Sequence, residues 1–320
     1  MILAAGLGTR LRPITNTLPK PMVPVCNRRL IAYAVEAFLA AGIDDIVVNL
    51  HHLPDAIVDF LTATYDCSFE FSLEREILGT GGGIRRVRHF LEESSEFFLV
   101  NADTIQFPNY EELRRARQTR DSLAALTLRH PPEGDRFTPV YFDDGVVTGF
   151  GAGHGEALMF SGSHLISSRV FRYLPEKEFF GIVDAVYQPL LGKESLAGVV
   201  DDGLWFDIGT PRRLMSAGTA LRELMIAGQI PLTHGSRIAG DSIVDETATI
   251  RGEIARSSLG ANSVIEGRVS DSAVWDDCRI AKGVTLERCI VAHGVELTKT
   301  AEFRDVLITS GSSGLVTTPL

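Results

Sequence analysis

The first stretch of the chain that could carry out chemistry is GLGTRLRPITNTLPKPM, which runs from Gly6 to Met22. Residues 1–35 contain five basic side chains and no carboxylate, although the whole chain carries a formal charge of −10. A local cluster of positive charge in an acidic protein predicts a small polyanionic ligand. Nucleic acid is not predicted, because it would need a broad basic face.

Four residues of this stretch suit a phosphate ligand. Gly6 and Gly8 let backbone N–H groups approach phosphate oxygens closely. Arg10 can form a bidentate fork, and Lys20 places a compact ammonium between two prolines. The stretch is not a P-loop, which needs G-x-x-x-x-G-K-[ST], and it is not a dinucleotide fingerprint, because Leu11 stands where the third glycine belongs.

The elements that position these residues alternate between strands and helices. Residues 1–5, 45–50 and 97–100 are apolar runs typical of buried strands, and residues 29–41 have apolar side chains at helical spacing. This alternation predicts an α/β fold with a mostly parallel sheet covered by helices. Ligands of such sheets bind beyond the carboxyl ends of the strands, where both the glycine loop and Asp103 fall.

The sequence pattern changes after residue 226. Apolar residues recur six apart in rows such as Ile238, Val244, Ile250 and Val274, Ile280, Leu286. A six-residue period predicts a β-solenoid, with edge strands of the first domain as the alternative. We therefore predict a first domain over 1–226, a linker over 227–237, the solenoid over 238–309 and a flexible tail over 310–320.

Composition excludes several classes of protein. No apolar run approaches the ~18 residues that cross a bilayer, and the charges follow the apolar start, the reverse of a signal peptide. The cysteines at 26, 67, 278 and 289 have neither C-x-x-C nor metal-ligand spacing. We expect reduced thiols and a cytoplasmic protein without a membrane partner.

Four blocks of sequence resemble the signature of the sugar-1-phosphate nucleotidyltransferases, also called NDP-sugar pyrophosphorylases. They are GLGTRL at 6–11 with PKP at 19–21, LGTGGG at 78–83, VNAD at 100–103 and WFDIGTP at 205–211. The resemblance covers residues 1 to about 215, and the solenoid resembles the left-handed β-helix that many members carry. It implies a Rossmann-like mixed, mostly parallel sheet followed by a short left-handed parallel β-helix of hexapeptide repeats.

The resemblance implies an enzyme that joins a nucleoside triphosphate to a sugar 1-phosphate and releases pyrophosphate. The sugar phosphate itself is the nucleophile, so the protein must align two anions and neutralise their charge. The implied roles are catalysis by Arg10 and Lys20; nucleotide binding by Ala5, Gly6, Gly8, Thr9, Arg10, Lys20, Thr80, Gly81 and Gly82; sugar binding by Asn101 and Gly162; and Mg²⁺ binding by Asp103 and Asp207. Carboxylate oxygens suit that hard cation, and the small residues at 80–82 are expected to expose backbone groups and leave space for the base.

One part of the family pattern is missing. Many relatives carry a Glu-Lys-Pro segment whose lysine meets the sugar phosphate, but residues 140–160 of this chain contain neither lysine nor arginine. Arg129 and Arg136 are the candidates to replace that lysine.

The sequence indicates the particular substrates less directly than it indicates the reaction. We predict GTP with mannose 1-phosphate and a homo-oligomer formed through the β-helix. Alternatives are UTP with an amino-sugar or hexose 1-phosphate, and a heptose-1-phosphate guanylyltransferase. From another class comes a non-catalytic nucleotide-sugar-binding regulatory subunit, which would be expected to lose Arg10, Lys20 or an aspartate. A further alternative is acyltransferase activity in the solenoid, for which the solenoid is short.

Overall fold

The protein forms two compact units. The computed structural model describes residues 1–134, 136–311 and 314–320. The first unit comprises Met1–Leu7 and Tyr33–Trp205, and the second comprises Gly8–Ala32 and Phe206–Leu320. The units therefore differ from the predicted division near residue 226, since two segments from the first part of the chain belong with the solenoid.

Strands and helices alternate through residues 1–226. The strands are β1 (Ile2–Leu3), β2 (Pro24–Val25), β3 (Arg28–Arg29), β4 (Asp45–Leu50), β5 (Ser68–Leu73), β6 (Glu96–Asn101), β7 (Thr104–Gln106), β8 (Ala124–Arg129), β9 (Val140–Asp143), β10 (Val146–Phe150), β11 (Glu156–Ser167), β12 (Leu196–Val200) and β13 (Trp205–Asp207). The helices are α1 (Leu30–Ala40), α2 (Pro54–Thr64), α3 (Gly79–Arg86), α4 (Arg88–Leu91), α5 (Tyr110–Thr119), α6 (Gln188–Leu190) and α7 (Pro211–Ile226), with 3₁₀ turns at Thr9–Leu11, Ile14–Asn16, Lys20–Met22 and Ser168–Arg172 and a π-helical turn at Val183–Tyr187. The helix predicted over 29–41 is confirmed as α1.

The first unit is built on a nine-stranded sheet with the order β5-β4-β1-β6-β11-β8-β12-β10-β9. Strands β5, β4, β1 and β6 are parallel neighbours. Strand β11 runs antiparallel between β6 and β8, and β12 is parallel to β8. The predicted α/β class with a mixed sheet is confirmed. Because β6, β8 and β12 point the same way, their carboxyl ends lie at one edge of the sheet, where a ligand is expected.

The solenoid in the second unit is a parallel β-helix with three faces. Its strands are β14 (Ser236–Ala239), β15 (Ser242–Asp245), β16 (Thr249–Ile250), β17 (Glu253–Ala255), β18 (Ser258–Leu259), β19 (Val264–Ile265), β20 (Arg268–Ser270), β21 (Ala273–Val274), β22 (Arg279–Ile280), β23 (Val284–Glu287), β24 (Ile290–Val291), β25 (Glu296–Leu297), β26 (Ala301–Arg304), β27 (Val306–Gly311) and β28 (Gly314–Pro319). The faces stack β15-β18-β21-β24-β27, β16-β19-β22-β25 and β17-β20-β23-β26. The solenoid prediction is confirmed, and the alternative of a few edge strands is wrong.

The coils are shorter than three full hexads. Asn262 and Asp277, bonded one coil apart, are 15 residues apart in sequence, and Arg288 and Asp305 further along are 17 apart. Most residues of the six-residue rows are buried along the axis, but Ile238 is 46% exposed. It lies on β14, which pairs antiparallel with β15 and ends the solenoid instead of forming a coil.

A ladder of buried serines runs up one corner of the solenoid. Ser242, Ser257 and Ser272 are each at most 3% exposed. The Ser242 hydroxyl accepts from the Ser257 N–H, the Ser257 hydroxyl from the Ser272 N–H, and the Ser272 hydroxyl from the Cys289 N–H, at 3.1, 3.1 and 2.9 Å. Each hydroxyl thus satisfies a buried backbone group of the next coil.

Part of the predicted flexible tail forms a strand, β28. Strand β28 pairs antiparallel with β27 from Val306↔Pro319 to Gly311↔Gly314. The polar, glycine-containing composition suggested flexibility, but β27 offers an open edge of the solenoid sheet, and β28 satisfies its backbone groups. Residues 312 and 313 of the predicted tail lie outside the described part.

Hydrogen bonds explain why residues 8–32 belong with the solenoid. Asn27 Nδ2 donates to the Leu259 carbonyl at 2.9 Å, and Arg29 pairs with Asp276 at 2.7 Å. The predicted linker over 227–237 also contacts this segment, because Arg28 donates to the Pro231 carbonyl at 3.0 Å. Across the described residues, we find no helix with the length and apolar character needed to span a membrane.

Candidate active site

Asn101 and Asp103 lie where the central strand β6 ends. Residues 97–100 are buried apolar side chains, as predicted for a strand covered on both faces. The Ala102 N–H donates to the Leu3 carbonyl at 2.9 Å and fixes the chain just beyond the strand. Asn101 and Asp103 are both half-buried. The strand thus places an amide and a carboxylate at the carboxyl edge of the sheet.

Gly162 lies directly against Asn101, so the two residues predicted to bind sugar are neighbours. Strand β11 changes register between Phe160 and His164, and Gly162 in this bulge has φ +95°. A Cβ at Gly162 would lie 2.4 Å from Asn101 Nδ2, so only glycine fits. The bulge is supported by buried His164, whose Nδ1 lies 2.8 Å from the Tyr187 hydroxyl, and burial lowers the pKa of His164 to about 3.

The glycines of the LGTGGG block serve a purpose different from the predicted one. The N–H groups of Gly81 and Gly82 donate to the Phe180 carbonyl at 3.0 and 3.3 Å. Added Cβ atoms would lie 2.3 Å from the Phe180 ring and 2.3 Å from the Glu178 carbonyl oxygen, respectively. The expectation that these backbone groups are exposed to a base is therefore wrong, because both glycines are packed against residues 178–180. Thr80 between Gly79 and Gly81 is half-buried.

A buried polar network, which the sequence did not indicate, joins β1 to the start of α3. Asn49 Oδ1 accepts from the Ala4 N–H at 2.8 Å, and Asn49 Nδ2 donates to Glu74 at 2.7 Å. The other Glu74 oxygen accepts from the Leu78 N–H at 2.9 Å, and Glu74 is only 1% exposed. The network fixes the end of β1, just before Ala5 and Gly6, relative to the LGTGGG block.

In the second unit, Gly8 is packed against Lys20. Gly8 has φ +61°, and a Cβ there would lie 3.0 Å from both Lys20 Cβ and Thr15 Cγ2. The Thr15 hydroxyl donates to the Gly8 carbonyl at 2.9 Å. Lys20 is only 6% exposed, in the turn that Pro19 and Pro21 flank. The glycine and the lysine that the sequence singled out are therefore neighbours.

Arg10 lies against the turn that contains Asp207. A Cβ at Gly209 would lie 2.8 Å from Arg10 Nη1, so this glycine makes room for the guanidinium. Asp207 is paired with Arg213 from the first turn of α7, and its side chain is 15% exposed. The structure thus brings Arg10 to the Asp207 segment and adds Arg213, whose spacing six residues after the aspartate gave no signal.

The remaining loop residues differ in burial. Gly6 is exposed, and a Cβ there would have nothing within 4 Å, so packing does not require this glycine. Thr9 is also exposed, at the start of a 3₁₀ turn, whereas Ala5 is 6% exposed. The space beside Gly6 is available for a ligand to approach the backbone.

A pocket, which we name the Arg129 pocket, lies in the first unit. Its space of about 200 Å³ includes open solvent, and its lining combines Thr127, Arg129, Ser161, Asp201 and Trp205 with apolar Phe107, Pro108 and Leu204. The Arg129 guanidinium lies over the Trp205 ring, 5.4 Å from its centroid. Arg136, the other predicted candidate for the missing cation, is exposed and does not line this pocket.

Carboxylates for a metal are present, but no dense cluster is. Within the described ranges, no group of three or more His, Cys, Asp or Glu side chains could hold a metal ion. Asp103 is half-buried and the Asp207 side chain is 15% exposed, and Mg²⁺ is usually bound through one or two carboxylates together with substrate phosphates. The donor chemistry fits Mg²⁺, with one oxygen of Asp207 engaged by Arg213.

A mixed α/β sheet, a basic glycine loop and aspartates at strand ends suit the binding of phosphate groups. The nucleotidyl transferase family model matches residues 1–223. The chain belongs to this family and is a sugar-1-phosphate nucleotidyltransferase. The same match covers all four blocks of sequence that carried the resemblance.

Individual relatives extend the likeness into the solenoid. Mannose-1-phosphate guanylyltransferase 1 of Arabidopsis thaliana is 28% identical over 313 residues, 94% of this chain and 83% of the relative. The mannose-1-phosphate guanyltransferase of Eremothecium gossypii is 33% identical over 270 residues, 79% of this chain and 73% of the relative.

Solved structures share the fold. The crystal structure of HddC from Yersinia pseudotuberculosis aligns with a TM-score of 0.57 and 25% identity, over 69% of this chain and 97% of that one. A putative glucose-1-phosphate thymidylyltransferase from Bacillus anthracis aligns with a TM-score of 0.61 at 21% identity, over 69% of this chain and 94% of that one. These likenesses cover a length like that of the predicted first domain.

Proposed function

We propose that this protein transfers a guanylyl group from GTP to mannose 1-phosphate, forming GDP-mannose and pyrophosphate. The observation that carries the choice of substrates is that relatives named mannose-1-phosphate guanylyltransferases match through the solenoid as well as the sheet, over up to 94% of the chain. Retention of Arg10, Lys20, Asp103 and Asp207 favours an enzyme over a regulatory subunit.

The proposed reaction needs no nucleophile from the protein. An oxygen of the sugar phosphate attacks the α-phosphorus of GTP, a new P–O bond forms, and the bond to the β-phosphate oxygen breaks to release pyrophosphate. Both partners are anions, so the protein must hold them in line and offset their repulsion.

Charged groups of the second unit are proposed to bind the triphosphate. Arg10 offers a planar fork beside Gly209, and buried Lys20 offers a point charge for the α-phosphate region, where low solvent exposure strengthens its effect. The open space beside Gly6 supports approach of a phosphate to the backbone. Ala5, Thr9, Thr80, Gly81 and Gly82 remain proposed neighbours of the nucleotide.

Asp103 and Asp207 are the residues proposed to hold Mg²⁺. When bound, the ion supplies neutralisation of the charge on the transferring phosphate. Asn101 is proposed to orient the sugar. Gly162 is proposed to assist because it has no side chain that would displace Asn101.

The test is pyrophosphate release by the purified protein with Mg²⁺, measured for four nucleoside triphosphates against a panel of sugar 1-phosphates. We expect the highest kcat/KM for GTP with mannose 1-phosphate. A higher value for UTP with an amino-sugar, or for GTP with a heptose 1-phosphate, would overturn the substrates. Silence across the panel from a folded protein that binds nucleotide sugar would favour a regulatory subunit.

We also propose a homo-oligomer formed through the β-helix in the cytoplasm. The outer strand β28 exposes Leu315 and Val316 by 49% and 40%, which supports contact with a second copy. All four cysteines are free thiols, which supports a reducing compartment. Light scattering of the full chain and of a Leu315→Ser, Val316→Ser variant tests the assembly, and an unchanged mass would reject this surface.

A further inference from the structure

The Arg129 pocket contains polar atoms that the protein itself does not satisfy. Among the described residues, Thr127 Oγ1, Ser161 Oγ and Arg129 Nε are buried without a hydrogen-bond partner. Thr127 and Ser161 are only 4% and 5% exposed. Buried polar atoms are nearly always bonded to protein or to ordered water, so the three atoms at this pocket are available to water or to a polar ligand.

Among the described residues that line the pocket, Arg129 is the only basic side chain and Asp201 is the only acidic one. Nearby carboxylates are occupied by other donors. Asp201 accepts from the Gly203 N–H at 2.8 Å, and Asp202 accepts from the N–H and the ring of His130 at 2.9 and 2.7 Å. Those hydrogen bonds, led by the one from the His130 backbone, hold the pKa of Asp202 below its usual value.

The protein orients the Arg129 guanidinium but leaves its Nε without a hydrogen-bond partner among the described residues. Arg129 Nη1 donates to the Gly203 carbonyl at 3.1 Å, and the guanidinium carbon lies over the Trp205 ring. A guanidinium held by stacking keeps its in-plane donors for an oxyanion. The pocket thus offers donors for a phosphate and hydroxyl groups suited to a sugar.

Contacts connect the pocket to Asn101 at the end of β6. Trp205 Nε1 donates to the Ser161 carbonyl at 3.3 Å, and the next residue, Gly162, lies against Asn101. Arg129 ends strand β8, which is separated from β6 by β11 alone. Two strand spacings amount to about 10 Å, a distance that a hexose phosphate and an arginine side chain can bridge together.

We propose that Arg129 binds the phosphate of the sugar 1-phosphate, while the hydroxyls of Thr127 and Ser161 bind hydroxyl groups of its sugar. The inference rests on the proposed function and specifies its second substrate site. It also accounts for residues 140–160, which supply no lysine or arginine for that phosphate.

The test compares Arg129→Gln with Arg114→Gln. Arg114 is a matched control because its guanidinium lies 5.4 Å from the Phe98 ring and its Nε donates to Glu96, outside the pocket. We expect Arg129→Gln to raise the KM for mannose 1-phosphate about 10- to 100-fold with the KM for GTP changed less than twofold, from loss of a charge-assisted bond. Arg129→Lys should recover part of the loss, and Arg114→Gln should change neither KM.

A binding measurement separates this inference from the proposed reaction. Calorimetry measures the Kd of mannose 1-phosphate for the wild type and for Arg129→Gln, each with Mg²⁺ and a GTP analogue whose α and β phosphorus atoms are joined by a methylene group. Weaker binding to the variant, even without turnover of GTP by the wild type, supports the site and rejects only the reaction. The site is overturned if the wild type turns over GTP and the variant has the same KM and Kd for mannose 1-phosphate as the wild type. It is also overturned if the KM values for both substrates rise equally in the variant, or if mannose 1-phosphate does not bind to the wild type.

Discussion

Two sets of buried hydroxyl groups, one in the solenoid and one in the sheet, differ in their hydrogen bonding. In the serine ladder of the second unit, each hydroxyl accepts a hydrogen bond from a backbone N–H of the next coil. In the first unit, Thr127, Ser161 and Ser163 bury hydroxyls that have no partner among the described residues.

The difference shows what each region is built to do. A hydrogen-bonded hydroxyl in a repeat stabilises the stack of coils, since its loss would leave a buried N–H without an acceptor. An unbonded hydroxyl beside a cavity costs stability in the free protein and gains its bond only when a ligand arrives. Proteins commonly accept such a cost at functional sites. The comparison predicts that substitutions in the serine ladder lower stability, whereas substitutions at the pocket hydroxyls change substrate binding.

The largest effect is expected from Asp103→Asn at the edge of the sheet. Loss of the carboxylate that we assign to Mg²⁺ should lower kcat about 100- to 1,000-fold, with a melting temperature near that of the wild type. Pyrophosphate release and thermal unfolding measure the two quantities. Near-normal turnover would remove Asp103 from the metal site, and a large loss of stability would make its role structural.

A smaller effect, on stability alone, is expected from Ser272→Ala in the ladder. The substitution leaves the buried Cys289 N–H without its acceptor and should lower the free energy of unfolding by about 1–3 kcal/mol. Urea unfolding measures it, and activity per folded molecule should not change.

Ser163→Ala is the matched control for Ser272→Ala. It removes an equally buried serine hydroxyl that has no hydrogen-bond partner among the described residues. We expect its free energy of unfolding to stay within about 0.5 kcal/mol of the wild type. Equal losses at the two serines would abolish the distinction between the regions.

A similarly small change in stability is expected from Thr127→Val, with a rise in the free energy of unfolding of about 0.5 kcal/mol or less, because a methyl group replaces an unbonded hydroxyl of similar size. The same variant should raise the KM for mannose 1-phosphate, since a sugar hydroxyl loses its partner. Thr127→Ser keeps the hydroxyl and should keep that KM. A destabilised Thr127→Val with an unchanged KM would show that the hydroxyl serves the fold.

The candidate site residues that the sequence could indicate are those that depend on local chain geometry. Residues Gly8, Arg10 and Lys20 lie in a short loop, and Asn101 and Asp103 follow a strand that its apolar run reveals. Their surroundings follow from β-strand order and tertiary contacts, neither of which a single motif encodes.

The Arg129 pocket illustrates this limit. Thr127 and Arg129 are ordinary residues of a strand until β11 and Trp205 are placed beside them. The sequence suggested that Gly81 and Gly82 contact a nucleotide, whereas their close packing is against residues 178–180, a distant part of the chain.

The solenoid shows a second limit. Its period was visible, yet its coil length was not, because corners are made by residues other than glycine. Arg256, Asp271, Arg288 and Asp305 adopt φ between +44° and +52°, a conformation that glycine favours. Their charged side chains pair with each other across coils, as in Arg256 with Asp271 at 2.6 Å. Such corners carry no glycine signal in the sequence.

The most direct test of the central claim follows the oxygen atoms of the sugar phosphate. Wild-type protein is given GTP, Mg²⁺ and mannose 1-phosphate labelled with ¹⁸O in its phosphate group, and the products are identified by mass spectrometry. Direct attack on the α-phosphorus predicts GDP-mannose that retains all of the label, together with unlabelled pyrophosphate. Label in released phosphate or pyrophosphate, or no GDP-mannose at all, would contradict the account.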